Sequence, residues 1–165
     1  MVRLVGAALA VAIAVSPASA VETGGCGKFK WPVEADIALL ANAKNLKSGG
    51  RLDVSAPVAV HLVLGPVADA GFDLPPERAP AATAAAGVAR FDAQAGVYQV
   101  TLTDAAWTDL VQNGRPLKPL GFSGVSDCEG ARKSLRYELS AGPATLQVSN
   151  SPTRVIGVAI SPAGK

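Results

Sequence analysis

A two-residue alternation of apolar and polar side chains runs through the second half of the chain and constrains its fold more than any other feature. The alternation is clearest over residues 96–117. One face of a predicted strand there carries Tyr98, Val100 and Leu102. A second strand is predicted over residues 107–112, and the Asn113-Gly114 pair that follows supplies the two positive-φ residues of a type I′ hairpin turn. We therefore expect this stretch to lie at the centre of an antiparallel sheet.

The same alternation recurs in other segments of the chain. Further strands are predicted over residues 58–64, 134–140, 145–149 and about 154–161, and their apolar faces carry Val58, Val60, Leu62, Leu64, Leu135, Tyr137, Leu139, Leu146 and Val148. Short strands separated by Gly, Pro and Asn turns, without helical crossovers, predict an all-β antiparallel sandwich or barrel. Pro116 and Pro119 predict that the strand after the hairpin is irregular or at an edge. Residues 73–86, which hold three prolines and a cluster of alanines, predict a surface loop.

One short helix is predicted before the strands, over residues 33–43. Pro32 suits a first helical position, and Lys44 and Lys47 suit the negative end of the helix dipole. One apolar stripe at i, i+4 and i+7 carries Val33, Ile37 and Leu40. We expect this stripe to pack on one side of the sheets.

The first twenty residues have the features of a secretory signal peptide. Arg3 precedes an apolar run over residues 4–15, and Ala18-Ser19-Ala20 forms a small-residue cleavage site. A membrane-spanning helix is the alternative, but it needs about 20 apolar residues and this run is shorter. Cleavage would leave residues 21–165 as a single β-sandwich domain, periplasmic or extracellular, without a membrane span.

Both cysteines, Cys26 and Cys128, follow the predicted cleavage site. An exported protein meets oxidising conditions, so an intramolecular disulfide is expected. Two unpaired thiols are the alternative. A bond between them would close a loop of about 100 residues, for which chain-entropy arguments give on the order of 4–5 kcal/mol.

The charge balance argues against nucleic acid as a partner. The chain has 15 Lys and Arg and 13 Asp and Glu, so without Arg3 the balance is 14 to 13, close to neutral. No basic block and no stripe of basic residues interleaved with aromatics is present in the sequence.

Residues 87–148 resemble the jelly-roll sandwiches of the PA14 and carbohydrate-binding-module type. The matching features are Ala95-Gly96-Val97-Tyr98 at the start of a strand, Asn113-Gly114 after the next strand, and Ala141-Gly142 before a final hairpin. The resemblance implies an antiparallel jelly-roll-like β-sandwich, and it suggests carbohydrate as a ligand class.

Nearly the whole mature chain is similar to an uncharacterised family of exported alphaproteobacterial proteins. The similarity is carried by Phe29-Lys30-Trp31-Pro32, Pro76-Glu77-Arg78-Ala79-Pro80, Trp107-Thr108-Asp109, Gln112-Asn113-Gly114, Asp127-Cys128 and Arg132-Lys133. Some members of that family carry a homogentisate dioxygenase label, which the residues of this chain can test.

A non-haem iron dioxygenase needs two histidines and a carboxylate on one metal ion. This chain has one histidine, His61, in the middle of a predicted strand. A single chain therefore does not supply that ligand set, and we predict no metal, no cofactor and no catalytic residue. His61 is interpreted as a structural side chain, with a ligand-binding role as the alternative.

The most suggestive polar group in the sequence surrounds Trp107. Trp107 and Asp109 are two residues apart, so they share one face of a regular strand. An indole beside hydrogen-bonding groups can hold the apolar face of a sugar ring or another flat ligand. The candidate ligand-binding residues are Trp107, Asp109, Gln112, Asn113 and Arg115. Packing of Trp107 in the core is the alternative, since Val111 shares its face.

These observations predict a non-catalytic exported binding module for carbohydrate or envelope glycan. A structural or assembly protein of the cell envelope that binds another protein is the alternative. The first predicts an accessible Trp107 beside Asp109, and the second predicts a contiguous apolar surface patch.

Overall fold

The computed structural model describes residues 21–163, which form two β-sheets packed face to face as a sandwich. The predicted signal peptide at residues 1–20 lies outside the described residues. The strands are β1 (Lys44–Lys47), β2 (Arg51–Leu52), β3 (Val58–Val63), β4 (Gly65–Pro66), β5 (Ala85–Ala93), β6 (Gly96–Leu102), β7 (Trp107–Gln112), β8 (Arg115–Leu117), β9 (Gly121–Gly124), β10 (Lys133–Leu139), β11 (Gly142–Ser151) and β12 (Val155–Pro162). The predicted all-β sandwich with one short helix is confirmed.

The two sheets have different strand orders. The first sheet runs β1-β3-β12-β6-β10-β9, and the second runs β2-β5-β11-β7-β8 with β4 paired to β5. The interior pairs are antiparallel, as predicted: Leu135 of β10 lies opposite Val100 of β6, and Leu146 of β11 lies opposite Leu110 of β7. These residues belong to the core between the sheets. The predicted apolar faces of β3, β6, β10 and β11 are therefore confirmed.

The hairpin after β7 forms at the predicted turn. Asn113 has φ 54° and Gly114 has φ 70°, the left-handed values that a type I′ turn requires. The returning strand β8 is short and lies at the edge of the second sheet. Its position agrees with Pro116, which has no N–H to donate to a further strand.

Three edge strands were not predicted from the sequence: β9, which pairs antiparallel with β10, and β1 and β2, which run parallel to their neighbours. Strand β1 pairs with β3, and strand β2 pairs with β5. No helix connects β1 to β3, because β2 in the other sheet lies between them in the chain. The chain thus crosses from one sheet to the other, and parallel pairing occurs here without a helical crossover.

The helix α1 spans Glu34–Leu40, so the predicted range of 33–43 was too long at its C-terminal end. Lys44 and Lys47 lie in β1 and not in the last turn of the helix. Leu46 between them packs against the core and pairs with Leu62 of β3. This tertiary pairing outweighs the helical preference of the lysines. The helix packs on β12 and β3, on one side of the sandwich as predicted.

A buried carboxylate joins the helix to the first sheet. Asp36 is 2% exposed. Its oxygens accept hydrogen bonds from Gln99 Nε2 (2.8 Å), Thr101 Oγ1 (2.5 Å) and Ser161 Oγ (2.6 Å). Those donors lie on β6 and β12, on the face opposite the core. These polar side chains on the outer face of the sheet therefore have a hydrogen-bond partner beneath the helix.

The residues between Ala70 and β5 contain no strand, which agrees with the predicted loop over 73–86. The strand begins at Ala85, however, and both Ala85 and Ala86 are buried in it. The loop lies on the outer face of the second sheet. Gln147 of β11 accepts bonds from the N–H groups of Asp73 and Leu74, and Asn150 accepts one from Ala81.

The predicted disulfide between Cys26 and Cys128 is confirmed. It lies beside a small second core formed by Phe29, Val33, Val125 and Ala131. The carboxylate of Asp127 accepts hydrogen bonds from the backbone N–H groups of Gly24 and Gly25, and Glu22 forms a bridge with Val125. These contacts hold the N-terminal segment against the loop before β10. Between residues 21 and 163, no helix is long and apolar enough to cross a membrane.

Candidate functional site

Trp107 lies at the rim of a cleft of about 410 Å³ at one end of the sandwich. It is the first residue of β7 and is half-buried. Leu110 of the same strand is in the core, so Trp107 and Asp109 point to the opposite, outer face. Other residues that line the cleft are Phe122, Arg78, Arg132, Lys133 and Asn150. Trp107 is therefore neither fully packed inside nor free on the surface.

Asp109 fixes the orientation of the indole. Trp107 Nε1 donates a hydrogen bond to Asp109 Oδ1 at 2.9 Å, and the N–H of Glu77 in the covering loop donates to Asp109 Oδ2 at 3.3 Å. Asp109 is 6% exposed, and burial raises the pKa of its carboxyl group, against the lowering effect of the bond from Trp107. Both carboxylate oxygens are thus engaged, so Asp109 positions Trp107 and connects the loop to β7.

Two cations flank the indole. The Arg78 guanidinium carbon and Lys133 Nζ each lie 5.9 Å from the centroid of the Trp107 ring, within the distance of a cation–π contact. Lys133 Nζ also donates to the Ala106 carbonyl oxygen at 2.5 Å. Burial lowers the pKa of Lys133 to about 8, while the nearby Asp109 charge acts in the opposite direction. Lys133 therefore keeps most of its charge at pH 7 at a cost in desolvation.

The structure separates the five predicted ligand-binding residues into two groups. Trp107 and Asp109 are together at the cleft. Gln112, Asn113 and Arg115 lie at or beyond the other end of β7, about 17 Å away for a six-residue strand. Gln112 is buried and exchanges two hydrogen bonds with the backbone of Ser140, donating to its carbonyl oxygen at 2.8 Å and accepting from its N–H at 3.0 Å. Asn113 and Arg115 are exposed at the hairpin.

His61 is in β3 of the first sheet, paired with Asn45 and Gly157. Its neighbours Val60 and Leu62 are in the core, so the imidazole lies on the outer face, half-buried. Within residues 21–163, no three His, Cys, Asp or Glu side chains are grouped closely enough to hold a metal ion.

Arg78, Phe122 and Lys133 were not predicted from the sequence as members of the site. Lys133 precedes Leu135 by two residues, so its place on the inward face of β10 could have been recognised from the alternation. Arg78 and Phe122 come from a loop and from an edge strand that lie far apart in the sequence. No local pattern connects them with Trp107. Comparisons of the chain with protein-family models, curated proteins and solved structures give no match.

Proposed function

We propose that this protein is an exported, non-catalytic binding module that holds a carbohydrate or envelope glycan in the Trp107 cleft. The observation that carries the proposal is the half-buried Trp107 at the rim of a 410 Å³ cleft, with its indole oriented by Asp109. Small-molecule sites are concave, about 300–1,000 Å³ in volume, with aromatic walls and a few polar groups. The cleft has these properties.

Export and the absence of catalysis belong to the same proposal. The Cys26–Cys128 disulfide fits a protein that folds under oxidising conditions outside the cytoplasm. Asp109, the carboxylate bonded to the indole, is buried and accepts hydrogen bonds from the Trp107 indole and the Glu77 amide, so we assign it a positioning role and no catalytic one.

The alternative of an envelope assembly protein has less support. That function requires a contiguous apolar surface of several hundred Å². Among residues 21–163, the large hydrophobic side chains that are exposed are Val21, Leu120 and Val155, which belong to three separate segments.

Tryptophan fluorescence tests the proposal directly. The other tryptophan, Trp31, lies on the outer face of the first sheet, where it donates to Ser134 Oγ, so Trp31→Phe leaves Trp107 as the single tryptophan. Titration with maltotetraose, chitotetraose and a trigalacturonate should give saturable quenching for at least one sugar. Trp107→Ala should abolish binding measured by calorimetry without altering the circular dichroism spectrum, whereas Trp31→Phe should bind normally. Equal affinity of Trp107→Ala and wild type, or no binding of any sugar, would refute the proposal.

A further inference from the structure

We propose that the Trp107 cleft selects a sugar that carries an anionic group, a carboxylate or a phosphate, on its ring. The inference rests on the proposed function and specifies its ligand class. Three cationic side chains line the cleft, Arg78, Arg132 and Lys133, and none of its lining residues carries a carboxylate. A neutral glycan does not require this concentration of positive charge, whereas an anionic sugar would be attracted by it.

The cations retain hydrogen-bond donors that a ligand can use. The guanidinium of Arg78 makes no hydrogen bond or ion pair with any residue in the described part of the chain; it contacts the Trp107 ring. Arg132 donates through Nη1 to the Val125 carbonyl oxygen at 3.2 Å. Its second terminal nitrogen is not used in that bond. A guanidinium presents paired N–H groups that match two oxygens of a carboxylate or a phosphate.

The nearest acidic groups do not neutralise the cleft. Asp109 is turned toward the indole nitrogen and the loop amide, and Glu77 is exposed on the covering loop, outside the cleft lining. The ion pairs formed within residues 21–163 join Arg51 to Asp92 and Arg90 to Asp73, away from this end of the sandwich. No cation of the cleft therefore forms an ion pair within the described residues, and the Asp109 charge offsets that of Lys133 only in part.

The uncharged walls fit the remainder of a sugar ring. Trp107 and Phe122 are both half-buried aromatic side chains on the cleft, and Ala105 and Ala106 add small apolar surface. A pyranose has an apolar face that packs on aromatic rings and hydroxyl groups at its edge. Asn150, which also lines the cleft, is half-buried, and its side-chain amide already forms hydrogen bonds with the loop that covers the second sheet. Aromatic walls beside the cations thus match a ring with one charged substituent.

A bound anion should change the pKa of Lys133, and the protonation of Lys133 should change the affinity for the anion. Lys133 is charged in a poorly hydrated position, and the charged groups facing it are Asp109, Arg78 and Arg132. An anion placed beside its ammonium would stabilise the charged form and raise the pKa of Lys133. By linkage, protonated Lys133 must bind the anion more tightly by the same factor. A neutral sugar in the same cleft would not cause this change.

The test compares matched sugars that differ in one group. Glucose, glucuronate and glucose 6-phosphate are titrated into ¹⁵N-labelled protein, with the Trp107 indole resonance as readout. Each hydrogen bond to a charged group is stronger than a neutral one by an amount that corresponds to roughly 5- to 10-fold in affinity. We expect glucuronate, glucose 6-phosphate or both to bind at least about tenfold more tightly than glucose, and this preference to fall with added NaCl.

Two variants test whether the charge of Arg78 causes the preference for the anionic sugar. Arg78→Ala should reduce the preference for the anionic sugar at least about fivefold. Lys44→Ala removes the same charge from an exposed site on β1, at the opposite edge of the first sheet from β9 and β10, and should leave the preference unchanged. Saturation with the anionic sugar should raise the pKa of Lys133, followed by NMR of its side chain, whereas glucose should not.

The outcomes separate the inference from the function on which it rests. Equal affinities for glucose and both anionic sugars, or a preference that Arg78→Ala leaves intact, overturns the inference while a glycan-binding cleft stands. Binding of free inorganic phosphate as tightly as glucose 6-phosphate also overturns it, because the ring then makes no contribution. If no glycan of any charge binds at Trp107, the proposed function itself fails.

Discussion

Replacing Lys133 with methionine should make the protein more stable at neutral pH. Burial lowers the pKa of Lys133 from 10.5 to about 8, and each pKa unit corresponds to about 1.4 kcal/mol, so the buried charge costs about 3 kcal/mol. Methionine has a similar length and no charge. It leaves the Ala106 carbonyl without the donor Nζ, which costs about 1–3 kcal/mol. We expect the free energy of unfolding at pH 7 to increase by up to about 2 kcal/mol.

The size of this gain should depend on pH. Below pH 8 the lysine is protonated in both the folded and the unfolded state, so its cost to the folded protein is constant. Between pH 8 and 10.5 the folded state loses the proton while the unfolded state keeps it, and the stability of the wild type rises. Above pH 10.5 both states are neutral and the cost is gone. The advantage of Lys133→Met should therefore be largest below pH 8 and reverse toward pH 10.5, where the variant differs from wild type mainly by the unpaired Ala106 carbonyl.

Urea unfolding followed by circular dichroism at pH 6, 7, 9 and 10 measures this difference. Lys44→Met is the control, because Lys44 is exposed and its substitution should change stability by less than about 0.5 kcal/mol at every pH. A Lys133→Met protein that is less stable than wild type at pH 7 would refute the reasoning. So would a difference in stability that stays constant from pH 7 to pH 10.

Variants at three further places, Asp109, the disulfide and Asp36, are compared with wild type by urea unfolding. Asp109→Ala should cost about 1–3 kcal/mol, because the Trp107 indole and a loop amide lose their acceptor; Asp109→Asn keeps an acceptor oxygen, and an equal loss in both variants would contradict this role. Changing both Cys26 and Cys128 to serine opens a link across 102 residues and should cost about 2–4 kcal/mol; an unchanged urea midpoint would show that the bond adds no stability. Asp36→Ala should cost at least about 3 kcal/mol, because two buried donors and the half-buried Ser161 hydroxyl lose their acceptor; a loss below 1 kcal/mol would mean that water replaces the carboxylate.

The long strands could be predicted because each buries one face of a continuous alternating segment. Tyr98, Val100 and Leu102 of β6 enter the core together, and the positive φ values at Asn113 and Gly114 follow from their residue types. Strands β1 and β2 have four and two residues, too few to show a period, and their parallel pairing depends on neighbours distant in the chain. Such pairing is a tertiary effect that local pattern does not contain.

The end of the helix could not be predicted for a related reason. The lysines at 44 and 47 suit the last turn of a helix, but Leu46 between them is drawn into the core when its segment pairs with β3. Burial of a leucine stabilises by about 1.5–3 kcal/mol, more than the few tenths gained from a charge near a helix end. The segment therefore forms a strand.

Two residues of the candidate site, Trp107 and Asp109, could be predicted from the sequence. The proximity of Trp107 and Asp109 followed from their spacing of two residues, and the structure adds the hydrogen bond between them. The grouping of Gln112, Asn113 and Arg115 with Trp107 did not follow, because residues at the two ends of a strand are far apart in space even when they are close in sequence. Arg78 reaches the indole only because its loop crosses the second sheet, which depends on acceptors at Asp109 and Gln147.

The covering of both outer faces explains why the cleft lies at an end of the sandwich. On the first sheet, α1 is held by Asp36, and on the second sheet the loop after residue 70 is held by Gln147 and Asp109. A ligand platform on either sheet face would have to displace these segments and leave buried polar groups unpaired. At the start of β10 an inward-facing position is occupied by Lys133, where an apolar side chain would stabilise the core. Lys133 therefore makes the fold less stable but places a positive charge beside the oriented Trp107 indole. Such a loss of stability is expected at positions that serve binding.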